Sequence, residues 1–174
     1  MKLKEYENII AETAIYPKQV KDFGIAYCML GLIEEFGEYL NHVRDLMLTD
    51  ETAKFRKKEA GDVIWYITAM ATELGSSLVE IDKSSQILFE AKTSVDYLLI
   101  QRRLNLSAGK VKKHYRDNVD NSEFLLNTLT LVYYFVFINE KKHFNEILKM
   151  NYEKLIKRRE TNTLHGEGDN REEQ

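Results

Sequence analysis

Nine consecutive residues, Val63 to Ala71 (VIWYITAMA), are apolar almost all the way round a helix. At about 1.5 Å per residue such a segment is far too short to cross a bilayer. It therefore belongs in the middle of a helical bundle, with other helices on every side. Its own N-terminal turns carry two carboxylates, Glu59 and Asp62, on a face that continues through Tyr66 and Met70. Acids entering such a core are costly unless they are protonated, paired or bound to a cation.

The rest of the chain also reads as helix. Only one Pro and 8 Gly occur in 174 residues, few for a sheet protein with many turns. A first helix is predicted from about Leu3 to Ala14, ending near Tyr16 because Pro17 follows. A second covers Phe23 to Leu48, with Met29, Ile33, Phe36, Leu40 and Val43 forming its apolar stripe. The polar stretch Thr49 to Thr52 breaks the pattern, and a third helix runs from near Ala53 to a C-terminal cap at Gly75. Further helical patterns cover Leu78 to Arg103, Ala108 to Tyr115, Ser122 to Phe137 and His143 to Arg159. The expected architecture is an all-α bundle over residues 1–160, with 161–174 as a flexible tail.

A net charge of −3 gives no reason to expect a nucleic-acid polymer or an anionic membrane as partner. The lone cysteine, Cys28, excludes an intrachain disulfide, and the N-terminus MKLKEYENII lacks a long apolar stretch, so the expected compartment is the cytoplasm.

Glu35 and Glu38 are three residues apart and sit about 60° apart around a helix axis, so both can point at one spot. Glu34 extends them to a three-acid arc. On their own these acids also fit a solvated face. Glu59 and Asp62 repeat the spacing, and four converging carboxylates make a divalent cation the natural counterion. All-oxygen ligands suit Mg²⁺ or Mn²⁺ better than Zn²⁺. A di-iron site is a minor alternative without its Glu-x-x-His signature; His42, His114, His143 and His165 read as ordinary histidines.

Glu-x-x-Glu, a spacer of 20 residues from Tyr39 to Lys58, then Glu-x-x-Asp resembles the signature of MazG-like all-α nucleotide pyrophosphohydrolases. AYCMLGLIEEFGEYL and KKEAGDVIWYITAMATELG resemble that family's two acid-bearing helices, and NYEKLIKRRETNTLHGEGDNR resembles a basic segment common in its phage and bacterial members. The resemblance implies that Glu35, Glu38, Glu59 and Asp62 bind Mg²⁺, with Glu35 and Glu38 among the catalytic groups. Water would convert a nucleoside triphosphate to monophosphate and pyrophosphate, in nucleotide-pool housecleaning. Lys154 and Arg158, on one helical face, are candidates for the phosphate oxygens beside Asn151, with an exposed basic helix end as the alternative. Asp169, Asn170 and Arg171 are candidates for a closing tail. Tyr16 and Gln19 are candidates for base or sugar contacts, and Trp65 and Tyr66 fit either core or base. A noncatalytic nucleotide-binding or regulatory bundle is the alternative function, and a purely structural helical oligomer a further one.

About 70 more residues than in short family members separate the acids from the basic block, and they read as a degenerate repeat. GEYLNHVRD (Gly37 to Asp45) resembles GKVKKHYRD (Gly109 to Asp117) at an offset of 72, and Glu80 aligns with Glu146 at 66. These offsets set Ser107, Lys110, Leu125 and Thr128 opposite Glu35, Glu38, Glu59 and Asp62, so the second half has lost every ligand. The expectation is a fused pseudo-dimer, with acids from residues 1–92 and phosphate contacts from 93–160, Lys112 and Lys113 included. The assembly would be a homodimer or a pseudo-dimeric monomer.

Overall fold

The computed structural model describes residues 1–16, 23–43 and 49–164. Seven helices and no strand occur among them: α1 (Leu3–Thr13), α2 (Phe23–Val43), α3 (Asp50–Glu73), α4 (Leu78–Glu90), α5 (Tyr97–Asp117), α6 (Ser122–Glu140) and α7 (Phe144–Glu160). The protein is all-α. No helix among the described residues is long and apolar enough to cross a membrane.

α3 takes the central place its apolar run demands. Ala60, Val63, Ile64, Ile67, Met70 and Ala71 have no solvent-accessible surface, and α1, α2, α4, α6 and α7 all pack on this helix. Burial of each large side chain there is worth about 1.5–3 kcal/mol. α3 begins at Asp50, earlier than the polar break suggests, because the break is itself a cap. Thr49 Oγ1 accepts from Thr52 N at 3.1 Å, and Thr52 Oγ1 accepts from Thr49 N at 3.0 Å. Its C-terminus closes as expected, with Gly75 at φ 73° and Ser76 N donating to Ala71 O at 2.8 Å.

Two expectations are corrected. The stretch from Leu78 to Arg103 is two helices. α4 closes with Lys92 in the left-handed region (φ 51°) and Thr93 N bonded to Leu88 O at 3.0 Å. α5 then starts afresh where Asp96 Oδ1 accepts from Leu99 N at 2.8 Å. Without Gly or Pro at this corner, the sequence carries no strong break signal. α5 then continues unbroken through Leu104 to Ser107, where a gap was expected. The second correction concerns α2. Its deepest stripe is Ile25, Cys28, Met29, Leu32, Phe36 and Tyr39, so Met29 and Phe36 are buried as expected while Ile33, Leu40 and Val43 are only partly buried. The buried face is thus turned toward Glu35 rather than away from it.

Helix pairing has an internal correspondence. α3 packs with α2 and α7, α6 packs with α5 and α4, and α2–α5 and α3–α6 meet across the middle. Gly37 and Gly109 lie in α2 and α5, while Glu80 and Glu146 are each the third residue of α4 and α7. Ser107 and Thr128, set by the offsets opposite Glu35 and Asp62, are fully buried and bonded to each other, Ser107 Oγ to Thr128 Oγ1, at 3.0 Å.

Candidate metal and phosphate site

Glu35 and Glu38 on α2 and Glu59 on α3 each present an oxygen within 4.8 Å of the others'. Their environments differ. Glu59 is buried, Glu35 is half-buried beside the core stripe of α2, and Glu38 and Glu34 are exposed. Burial, followed by the charges of Asp62, Glu59 and Glu38, pushes the Glu35 carboxyl up to about 8, against an opposing pull from Lys154. Burial also raises Glu59, and Lys58, 3.3 Å from its Oε1, offsets part of that. The donor set is all oxygen. His42 is engaged elsewhere, stacked on Phe55 at 5.8 Å. Three near carboxylates, two of them partly or largely buried, could hold a hard divalent cation such as Mg²⁺ or Mn²⁺.

Asp62, the fourth expected ligand, lies one turn beyond Glu59, outside the three-acid cluster, and is gripped from α7. Its Oδ1 accepts from Asn151 Nδ2 at 2.8 Å and forms an ion pair with Lys154 Nζ. Gly61 lets α7 come this near, since a Cβ there would lie 3.0 Å from that of Asn151. Arg158, one turn past Lys154, is buried at 7 % exposure and lines the same cleft. Neither residue is an exposed basic helix end; Lys157 and Arg159 are the exposed ones, Arg159 paired with Glu12.

From the acids a cleft of about 140 Å³ runs to a cluster of aromatic rings. Tyr16 stacks on Tyr27 with centroids 5.1 Å apart, Tyr27 lies 6.2 Å from Tyr66, and Trp65 meets Tyr66 edge-on at 4.7 Å. Tyr16 is anchored by donating to Glu73 Oε1 at 2.5 Å. Trp65 and Tyr66 are therefore cleft walls, packed on the core but only partly buried. Tyr27, Glu73 and Tyr6 were not singled out from the sequence. A signal for Tyr27 exists: Tyr27, Gly31 and Glu35 recur every fourth residue on one face of α2, with the glycine leaving room for the Tyr66 ring. Gly31→Ala would drive a methyl into that ring. It is expected to cost about 1–3 kcal/mol in thermal or urea unfolding, and to change the intrinsic fluorescence of neighbouring Trp65.

Other candidates are not brought together. Lys113 is exposed on the last turns of α5, where its charge falls on Asp117, and does not line the cleft. Lys112 lines a separate groove between α2 and α5 with Leu30 and Tyr115. The basic contribution expected from this part of the second half is thus absent from the cleft, because α5 presents Ser107, not its lysines, to the interior. Gln19, Asp169, Asn170 and Arg171 lie outside the described residues, as do Pro17 and His165.

No protein-family profile matches the chain, and no solved structure does. The Gene 37 protein of Mycobacterium phage L5 is 31% identical over 80 residues, spanning 40% of this chain and 68% of the phage protein. The chain belongs to the family of that phage protein. The name states no activity, and none is carried over from it.

Proposed function

We propose that the chain is a divalent-metal-dependent nucleoside triphosphate pyrophosphohydrolase of the MazG-like kind. The observation that carries this reading is one cleft lined by carboxylates, basic groups and aromatic rings, each suited to a different part of a nucleotide. Glu35 and Asp62 line it with Lys154 and Arg158, Glu38 and Glu59 cluster with Glu35, and Tyr16, Tyr27, Trp65 and Tyr66 supply its aromatic wall. Mg²⁺, with Mn²⁺ as substitute, would be held by Glu35, Glu38, Glu59 and Asp62, where it supplies charge neutralisation and activation of the attacking water. Lys154 and Arg158 bind phosphate oxygens and stabilise the charge that builds as the α-phosphorus gains a bond to water and loses its bond to pyrophosphate. In this reading Glu35 and Glu38 take the proton lost by water, as members of one coupled acid set. The aromatic wall offers π-faces to a base. A volume of about 140 Å³ is below the 300–1,000 Å³ usual for small-molecule sites, so nucleotide binding requires the cleft to widen.

The test is product analysis with a panel of ribo- and deoxyribonucleoside triphosphates. Monophosphate and pyrophosphate are expected with Mg²⁺, and neither with a chelator. Nucleotide binding without these products under Mg²⁺ or Mn²⁺ would replace the enzyme by a noncatalytic binding module.

We also propose that the chain is a fused pseudo-dimer. α2–α3–α4 corresponds to α5–α6–α7, and each half lends its last helix to the other, α7 to α3 and α4 to α6. The buried Ser107–Thr128 bond occupies the place that Glu35 and Asp62 hold in the first half. One metal cluster per chain is the expected stoichiometry, and two equivalent clusters would refute the fusion.

A further inference from the structure

We infer that Tyr6, on α1, is a positioning residue for the metal site: it sets the orientation of the Asn151 amide and, through it, that of the Asp62 carboxylate. This inference rests on the metal-site reading above.

Tyr6 is fully buried, and its phenol has a single proton to donate. Asn151 Oδ1 lies at 2.7 Å and Gly61 O at 3.4 Å, so the proton goes to the asparagine. That settles which end of the amide faces which neighbour. Oδ1 receives the phenol, and Nδ2 donates to Asp62 Oδ1 at 2.8 Å. The reversed amide would set oxygen against carboxylate and nitrogen against the phenol, an arrangement with unmet or repelling partners in a buried place. Lys154 bonds the same Oδ1, so among the described residues both donors from α7 fall on one oxygen, which leaves Oδ2 for the proposed cation. Three helices are joined in this chain of contacts, α1 to α7 to α3. The carboxylate is thereby oriented from Tyr6, a residue that does not line the cleft, as second partners of metal ligands generally do.

Tyr6→Phe removes only the oxygen. Direct Mn²⁺ binding to the full chain, followed through the electron paramagnetic resonance of free Mn²⁺ in the absence of nucleotide, is expected to weaken roughly tenfold in this variant. Asn151→Leu severs the same chain at its middle and is expected to weaken binding similarly; it serves as the reporter should Tyr6→Phe be too unstable to purify. In the double variant the loss is expected to equal that of Asn151→Leu alone, because Tyr6 acts only through the asparagine. Unchanged Mn²⁺ affinity in folded Tyr6→Phe, even with a lowered melting temperature, or additive losses in the double variant, would overturn the positioning role while leaving the metal site standing. Failure of the unaltered chain to bind Mn²⁺ would overturn the metal site and this inference with it.

Discussion

Glu35→Gln is expected to reduce pyrophosphate release by roughly 10²–10³-fold while making the metal-free protein more stable above neutral pH. The two effects share one cause. Glu35 is half-buried beside three other acids, and its carboxyl is pushed up to about 8 from an ordinary 4.5. A raised folded-state value means that the native protein holds this proton more tightly than the unfolded chain. The stability so contributed is complete below about pH 4.5, declines as pH rises, and is gone above about pH 8. Glu59, raised by burial, adds a loss of the same sign. A neutral glutamine of the same shape escapes this loss. The variant is expected to gain about 2 kcal/mol over the unaltered chain at pH 8, after allowance for solvent screening of a half-buried group. Urea unfolding at pH 5 and pH 8 with a chelator present checks the sign. Saturating Mg²⁺ should then restore the unaltered chain at pH 8 and help the variant less, since a cation that binds only the folded state stabilises by mass action. A glutamine variant that retains full turnover would remove Glu35 from the site; one that is destabilised at pH 8 would show that its charge is not strained there.

Lys154→Met is expected to separate metal binding from triphosphate hydrolysis. Its ammonium forms an ion pair with Asp62 and opposes the upward shift of Glu35, so it competes with any cation for the same charge. Its loss should tighten Mn²⁺ binding in the absence of nucleotide several-fold. Without metal, the protein should be less stable at pH 8, the opposite direction to Glu35→Gln, because the acids then repel one another unrelieved. Hydrolysis nevertheless falls by roughly 10²-fold, because a charge on the phosphate oxygens has been removed. Steady-state kinetics at saturating Mg²⁺, set beside direct metal titration, distinguishes the roles. Parallel losses of metal affinity and turnover would make Lys154 a structural support of the acid cluster instead.

Helical class, central α3 and the closeness of Glu35 to Glu38 were legible in sequence for a local reason. Spacing of three or four residues decides which side chains share a helix face, and Val63 to Ala71 has no polar face to turn to water. Local order also places Lys154 and Arg158 one turn apart on α7. The corner at Lys92 was not legible, because a left-handed closure by a non-glycine residue leaves little trace in composition.

What the sequence by itself determined, then, is the set of helices and the chemistry carried on each face. Which faces meet is a matter of contacts between residues far apart in the chain. Tyr6, Gly61 and Asn151 are ordinary until α1, α3 and α7 are packed together; only then does a glycine's missing side chain let an amide reach Asp62. The same packing buries Arg158, leaves Lys113 in solvent and joins Ser107 to Thr128. Burial is a property of the assembled bundle, and it sorts otherwise equivalent charged side chains into those that can act on a ligand in the cleft and those that only meet water.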